Sequence, residues 1–389
     1  MDMKARIRMR SLAVMVFAVM AMGAFAQSDV RVSKVLRAQK MGKQTVLRST
    51  DSRLPQDVVQ FDREEDVTNM PQELRDFLSS YEEALRRMDE GADISQVLSV
   101  DPHASYQTTV VGPLLDDIEF DQGTPYNDKC PIINNARAIT GCVATAMAEI
   151  MRYWKYPAVG TGSTTYTGSK GAQTYNFADH PFDWNNMLPT YTNDYTPTQA
   201  SAVSELMLAC GASVNMNYAY DGSGANSEKV LPALRDFFGY DPAIEFLSDA
   251  TEEVISTVWV SVLKGEFDAG RPVYYSGANQ TSGHAFVMDG YKIDGTDVFF
   301  HVNWGWNGSY NGWYLITYLR PKDTNYSAYS NSMVFRIFPP GMGIENTEEQ
   351  TATKLDMNAP VYTILGNKIP ASSMQRGMIY IQNGRKFVW

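Results

Sequence analysis

The sequence predicts an α+β protein, a helical half facing an antiparallel sheet, and three observations carry that prediction. Helix-period patterns fill the chain before residue 270, whereas short apolar runs broken by glycines and polar turns follow Pro272. The 389 residues are 44% hydrophobic and 20% charged, which is enough apolar material for a large core and excludes a disordered chain. Pro157, Pro272 and Pro339-Pro340-Gly341 stand at the places where one pattern gives way to the next.

The elements follow in order. Lys4, Arg6, Arg8 and Arg10 precede an apolar run, Ser11 to Ala26, that ends in Ala24-Phe25-Ala26. Basic, apolar and small-x-small segments in that order predict a signal peptide over 1–26, and the apolar run is short for a membrane span. Gln27 rather than Cys follows the expected cut, so no lipid anchor is indicated. Residues 27–105 form a segment of different character. Arg31, Lys34, Arg37, Lys40 and Lys43 recur every third position, residues 54–68 turn acidic and polar, and no strand-rich pattern is evident. Met70 to Gly91 reads as one helix, with Pro71 in its first turn and Leu74, Phe77, Leu78, Tyr81, Leu85 and Met88 on one face. That face has no core of its own. The segment is either an extension of the main domain or a short removable propeptide lying over it.

Residues 106–340 form the main domain. Gly141 to Trp154, Thr198 to Cys210, Ser227 to Phe238 and Val254 to Ala269 read as helices, with loops or short strands over Gly160 to Phe182. Val273 to Ser276, His284 to Lys292, Asp297 to Asn303, Gly312 to Thr317 and Ser332 to Phe338 read as strands. Residues 341–353 form a polar linker. Residues 354–389 form a small β tail, with strand-like pieces at Val361 to Leu365, Met378 to Ile381 and Lys386 to Trp389 set apart by Gly366-Asn367 and Asn383-Gly384 turns.

Several function classes are set aside. A formal charge of -11 and a pI of about 4.9 argue against nucleic acid as a partner. No phosphate-binding glycine loop is visible, and His103, His180, His284 and His301 are scattered without metal-ligand spacing, so neither cofactor nor metal is expected. Cys130, Cys142 and Cys210 are an odd number for an exported protein and leave at least one free thiol.

Cys142 is the best nucleophile among the three. It opens a run of helix formers after Gly141, and free backbone N–H groups at a helix start favour a thiolate and can hold an oxyanion. Cys210 lies inside an apolar helix and Cys130 precedes Pro131 with no helix start behind it, so both read as buried small hydrophobes. A thiolate needs a base. His284 opens an apolar strand after a small polar loop, and His301 competes with it two residues before Asn303. The amide oxygen of Asn303 is placed to accept the ring N–H of His284, with Trp304 shielding that bond. By composition alone the same turn is equally a hydrophobic one.

Thr140-Gly-Cys-Val-Ala-Thr-Ala-Met-Ala, Gly283-His-Ala-Phe-Val-Met-Asp-Gly-Tyr and His301-Val-Asn-Trp-Gly-Trp, in this order, resemble the streptopain family of bacterial secreted cysteine peptidases. Asp121-Gln-Gly-Thr-Pro-Tyr-Asn, Asp183-Trp-Asn-Asn-Met-Leu-Pro-Thr-Tyr and Gly211-Ala-Ser-Val-Asn-Met-Asn-Tyr extend the likeness over roughly 110–340. The resemblance implies a papain-like fold in two parts, with the nucleophile at a helix N-terminus facing the sheet. It implies endopeptidase activity with Cys142 as nucleophile, His284 as base and acid, Asn303 with Trp304 orienting His284, and the Gln122 side chain joining the Cys142 N–H in the oxyanion hole. It further implies secretion or a cell-surface location, protein or peptide substrates, an endogenous inhibitor or propeptide as partner, and a pocket for a bulky apolar side chain bordered by Asn217 to Asn226. A cell-wall amidase or transpeptidase on the same fold, and an inactive surface binder, are the alternatives. Two departures stand out: 27–105 is short for a folded propeptide, and the loop from Arg320 to Ser332 carries Tyr and Ser rather than glycine. The tail resembles C-terminal sorting segments of exported Bacteroidetes proteins.

Overall fold

Hydrogen bonding joins the N-terminal segment and the second half of the chain into one antiparallel sheet. The computed structural model describes residues 30–89, then 109–342 with breaks at 169–170, 193, 249–258, 279–282, 295–296 and 316–329, and in the tail 361–363, 368–370, 374, 379–382 and 385–388. The expected signal peptide, most of the linker and the Arg320 to Ser332 loop up to residue 329 lie outside the described residues.

The segment after residue 29 is rich in strands, contrary to the sequence expectation. It contains β1 (Val30–Arg31), β2 (Leu36–Met41), β3 (Gln44–Ser49) and β4 (Asp57–Phe61). The spacing of its basic residues hid a period of two. Leu36 and Ala38 are buried while Arg37 between them is exposed. A two-residue turn joins β2 to β3, with Gly42 at φ 67, the left-handed region that glycine enters at little cost. Helix α1 (Gln72–Asp89) follows and buries Leu74, Phe77, Leu78, Tyr81 and Leu85, the face its sequence predicts.

Strand β5 (Thr109–Val111) and the hairpin β6 (Ile132–Ile133) and β7 (Ala136–Arg137) lead to helix α2 (Cys142–Trp154). The Gly160 to Phe182 region forms the hairpin β8 (Ser163–Gly168) and β9 (Gly171–Asn176). Helix α3 (Pro197–Ser213) opens with a capping box in which Thr196 and Gln199 exchange hydrogen bonds. The helix expected at Ser227 to Phe238 is instead a chain of short 3-10, α and π turns. Strand β10 (Glu245–Ser248) and helix α4 (Val260–Asp268) precede β11 (Val273–Ala278), β12 (Gly283–Asp294), β13 (Asp297–Asn303), β14 (Gly312–Leu315) and β15 (Ser330–Phe335). In the tail, β16 (Val361–Thr363), β17 (Lys368–Ile369), β18 (Ile379–Gln382) and β19 (Arg385–Val388) make a separate small sheet.

The main sheet runs β1-β2-β3-β4-β14-β13-β12-β11-β15-β10, with β5 against β12. Its alternation builds two cores. Ala285, Val287, Tyr274 and Val334 face α2 and α3 in one. Phe286, Met288, Tyr275 and Met333 face α1 and α4 in the other. The helical half and the sheet half thus meet across β12, whose first residues lie beside the start of α2.

The N-terminal segment is part of this architecture. Strand β4 pairs with β14, Phe61 opposite Gly312 and Val59 opposite Tyr314. The Phe77 ring meets Phe286, Trp304 and Tyr314 edge-on at 6.5, 5.3 and 5.4 Å, and the Tyr81 hydroxyl donates to the Leu315 carbonyl at 2.9 Å. Replacing Phe77 by Ala removes all three ring contacts, and the expected loss is about 4 kcal/mol in urea unfolding of the full chain. A loss under about 1 kcal/mol would mean that α1 is only loosely laid on the sheet.

Candidate active site

Gly141 sets the start of α2. Its φ of 85° is left-handed, and a Cβ there would lie 2.8 Å from the Met216 sulfur and 2.9 Å from the Ser223 carbonyl. The first backbone bond of the helix runs from Thr145 N–H to the Gly141 carbonyl at 3.1 Å, so the N–H groups of Cys142, Val143 and Ala144 have no helical acceptor. The half-buried Cys142 thiol sits among them. The His284 ring and the N–H groups of Val143 and Ala285 are the polar groups that act on it. Burial raises the thiol, but the hydrogen bond and charge of His284 together with those two amides outweigh burial and hold Cys142 below the ordinary thiol range.

His284 stands at the start of β12, opposite Gly277 on β11. Nε2 lies 2.8 Å from the Trp304 carbonyl oxygen. A carbonyl only accepts, so Nε2 donates and Nδ1 is the nitrogen left for the thiol. Burial lowers the imidazolium, while Cys142, the Trp304 carbonyl and the Glu73 carboxylate raise it, and the balance lies above the ordinary histidine range. Trp306 covers the His284 ring at 4.6 Å and stacks on Trp304 at 5.1 Å with planes 8° apart.

The residues around His284 differ from the sequence expectation. Its described partner is the Trp304 backbone, not the Asn303 side chain. The Asn303 amide donates to the Ile118 carbonyl at 2.7 Å and its oxygen accepts from Gly305 N–H at 3.1 Å. Trp304 is fully buried, with its indole N–H on the Tyr314 hydroxyl at 2.9 Å, and Trp306 is the ring that borders the cleft. Sequence reasoning passed over Trp306, although it repeats in the same Trp-Gly-Trp turn. Gln122 lines the cleft with Cys142 and His284, and its carbonyl accepts from Thr140 N–H at 3.1 Å.

His301 is elsewhere. Buried, it is clamped between Asp289 at 2.6 Å on Nδ1 and Asp62 at 2.8 Å on Nε2. Burial lowers its pKa, yet the two carboxylates outweigh burial and raise it to about 10, so the ring is a fixed cation. Burial pushes the Cys130 thiol up to about 12 and Cys210 up as well, and all three cysteines are free. Among the described residues no group of three or more His, Cys, Asp or Glu is arranged to hold a metal.

The cleft holding Cys142, Gln122, His284 and Trp306 has a volume of about 960 Å³. Beside the nucleophile its wall is a single row across four strands: Ala285 opposite Ser276, Ser276 opposite Ser332, and Ser332 opposite Ser248. Ser276 and Ser332 share a hydroxyl hydrogen bond of 2.7 Å. Asp221 to Ser227 lines the facing side. A polarised thiol, an adjacent imidazole with a fixed tautomer and free helix-start amides equip this cleft to attack a carbonyl carbon and hold the resulting oxyanion.

Comparison with known proteins follows the same lines. The model of the peptidase C10 family matches residues 120–314. Streptopain of Streptococcus pyogenes is 37% identical over 238 residues, which is 56% of this chain and 58% of streptopain, so the chain spans little more than half the length of that relative. The thiol protease/hemagglutinin PrtT of Porphyromonas gingivalis is 35% identical over 291 residues, 71% of this chain and 33% of that protein. Among solved structures, a cysteine-to-alanine mutant of Prevotella intermedia prointerpain A covers 80% of this chain and 98% of its own, at 27% identity and a TM-score of 0.67. The active wild-type interpain A cysteine protease of the same organism covers 59% of this chain and 95% of its own, at 34% identity and a TM-score of 0.51.

The paired shifts of Cys142 and His284 set an expectation for pH. Between the lowered thiol and the raised imidazole both groups are charged, so alkylation of Cys142 by iodoacetamide stays fast below the ordinary thiol value of about 8.5 and slows as pH falls through the folded thiol value. In His284→Ala burial acts unopposed by the ring, and the midpoint of the rate profile moves up to or beyond about 8.5. Identical midpoints in the two proteins would show that the ring does not tune the thiol.

Proposed function

The chain belongs to the peptidase C10 family, and on that footing we propose that it is a cysteine endopeptidase in which Cys142 is the nucleophile and His284 the proton carrier. The observation that carries the reading is the Cys142 thiol at a helix start inside a cleft, acted on at once by the His284 ring, by the helix-start N–H of Val143 and by the Ala285 N–H on β12. The thiolate attacks the substrate carbonyl carbon, a C–S bond forms, and the carbonyl electron pair moves onto oxygen, facing the Cys142 N–H and the Gln122 amide. On collapse the C–N bond breaks and His284 gives its Nδ1 proton to the departing amine. Water then attacks the thioester, His284 takes a proton from it, and the thiolate leaves. The Trp304 carbonyl keeps Nε2 protonated throughout, which is the orienting task that the sequence suggests for Asn303.

Residues 30–89 read as the counterpart of a pro-segment. The fuller coverage by prointerpain A than by active interpain A supports that reading, as does the place of Glu73 at the cleft. Secretion is supported by the signal-like pattern of 1–26 and by a tail resembling sorting segments. No helix among the described residues is long and apolar enough to cross a membrane. The substrates are proteins or peptides laid along the cleft.

Casein cleavage by the full chain, before and after limited proteolysis, tests the activity. Cys142→Ala is expected to lower turnover by roughly 10⁴-fold or more, and turnover that survives this substitution sinks the peptidase reading. The serine row refines the expected apolar pocket by adding hydrogen-bonding groups to its wall. Peptides with Tyr two residues before the cut are expected to be turned over about 5-fold faster than their Phe analogues, a difference of one hydrogen bond. The double substitution Ser276→Ala, Ser332→Ala should erase that ratio, and equal rates in the unsubstituted protein would remove the hydroxyl wall from specificity.

A further inference from the structure

Glu149 is a buried acid that the chemistry above does not use. It lies on α2, its side chain is fully buried, and burial pushes its carboxyl well above the usual carboxylate range, which favours the uncharged form. Oε1 accepts from Phe120 N–H at 3.1 Å, and Oε2 is buried with no hydrogen-bond partner among the described residues. A buried polar atom without a partner is costly, and an apolar side chain in its place would avoid that cost.

Its position gives it a use. Cys142, Thr145 and Glu149 fall at i, i+3 and i+7 and share one face of α2. That face meets two strips of chain. One is the turn after β13, where a Cβ on Gly305 would lie 3.0 Å from the Thr145 methyl group. The other is residues 118–122, which end at Gln122. Hydrogen bonds hold this second strip at alternate residues. The Ile118 carbonyl accepts from the Asn303 amide at 2.7 Å, and the Phe120 carbonyl accepts from Asn307 N–H at 2.7 Å. The Gln122 carbonyl accepts from Thr140 N–H at 3.1 Å, and the Thr140 hydroxyl bonds that of Thr145 at 2.9 Å. Phe120 N–H to Glu149 is the direct hydrogen bond from this strip to the body of the nucleophile's helix.

We infer that Glu149 is a positioning residue: through Phe120 it sets the separation between Gln122 and the start of α2, and so the width of the oxyanion site. Asn303 holds the same strip from the His284 side. The inference rests on the peptidase reading, and it predicts a loss confined to steps in which an oxyanion forms.

The test compares Glu149→Gln, Glu149→Met and Glu149→Asp in the full chain after activation. Glu149→Gln keeps an acceptor oxygen in reach of Phe120 and is expected to lie within about 3-fold of the unsubstituted enzyme. Glu149→Met removes the acceptor, and Glu149→Asp draws it back by one methylene. Both are expected to lower kcat by about 30-fold with KM little changed, a transition-state loss smaller than removal of an oxyanion donor outright. Peptide aldehydes add the Cys142 thiol across their carbonyl, sulfur to carbon and proton to oxygen, and their affinity should fall by the same factor. Iodoacetamide displaces iodide without forming an oxyanion, and its rate with Cys142 should stay constant. Should Glu149→Met fail to fold, Glu149→Asp carries the same comparison. Equal fall of alkylation and turnover would assign Glu149 a purely structural role and overturn the inference. So would unchanged aldehyde affinity in the folded variants, or a Glu149→Gln enzyme as impaired as Glu149→Met. Absence of turnover by the unsubstituted protein, with its thiol still reactive, would instead count against the peptidase reading.

Discussion

The hydrogen bond from His284 Nε2 to the Trp304 carbonyl organises the site. It fixes which ring nitrogen faces Cys142, and it ties the start of β12 to the turn that follows β13. Much of the surrounding sequence serves that one contact. The Trp304 indole is locked to the Tyr314 hydroxyl, which itself donates to the Tyr310 carbonyl at 2.7 Å, and the Trp304 N–H is held by the Asn311 side chain at 2.9 Å. A backbone acceptor cannot rotate away as a side chain can, so the orientation of the imidazole is inherited from the turn rather than from one residue's rotamer.

The second constraint is that the two reacting groups belong to opposite cores. Cys142 rides on the helix of the first, and Phe286, two residues beyond His284, belongs to the second, which is shared with α1. A change in how α1 packs is therefore felt at His284 through Phe77, Phe286 and Trp304. The N-terminal segment reaches the same region a second time through charge, because Glu73 is among the groups that raise His284.

Much of this was legible in the sequence. The five strands after Pro272, the helices α1, α2 and α3, and the placement of Cys142 at a helix start follow from periodicity and punctuation alone. The strands before residue 62 did not declare themselves, because an every-third-residue run of cations overlay the alternation of Leu36 and Ala38 and drew attention from the Gly42 turn. The contacts of Asn303 were beyond sequence reasoning for another reason. An amide at the end of a strand has more than one direction to point, and only the fold brings Ile118 within its reach. Glu149 did not stand out, since a lone acid in a run of apolar helix residues does not declare its burial or its partner in the sequence.

The clamp on His301 gives the N-terminal segment an unusual form of attachment. Two carboxylates hold one imidazolium, so the cluster carries one negative charge in excess. The deeply buried member, Asp289, also accepts from Leu115 N–H at 2.8 Å and belongs to the sheet, whereas the half-exposed member, Asp62, belongs to the segment. Without Asp62 the remaining pair is electroneutral and still hydrogen-bonded. The segment is thus fastened by a surplus ion, and the sheet it grips would keep its charges balanced without it.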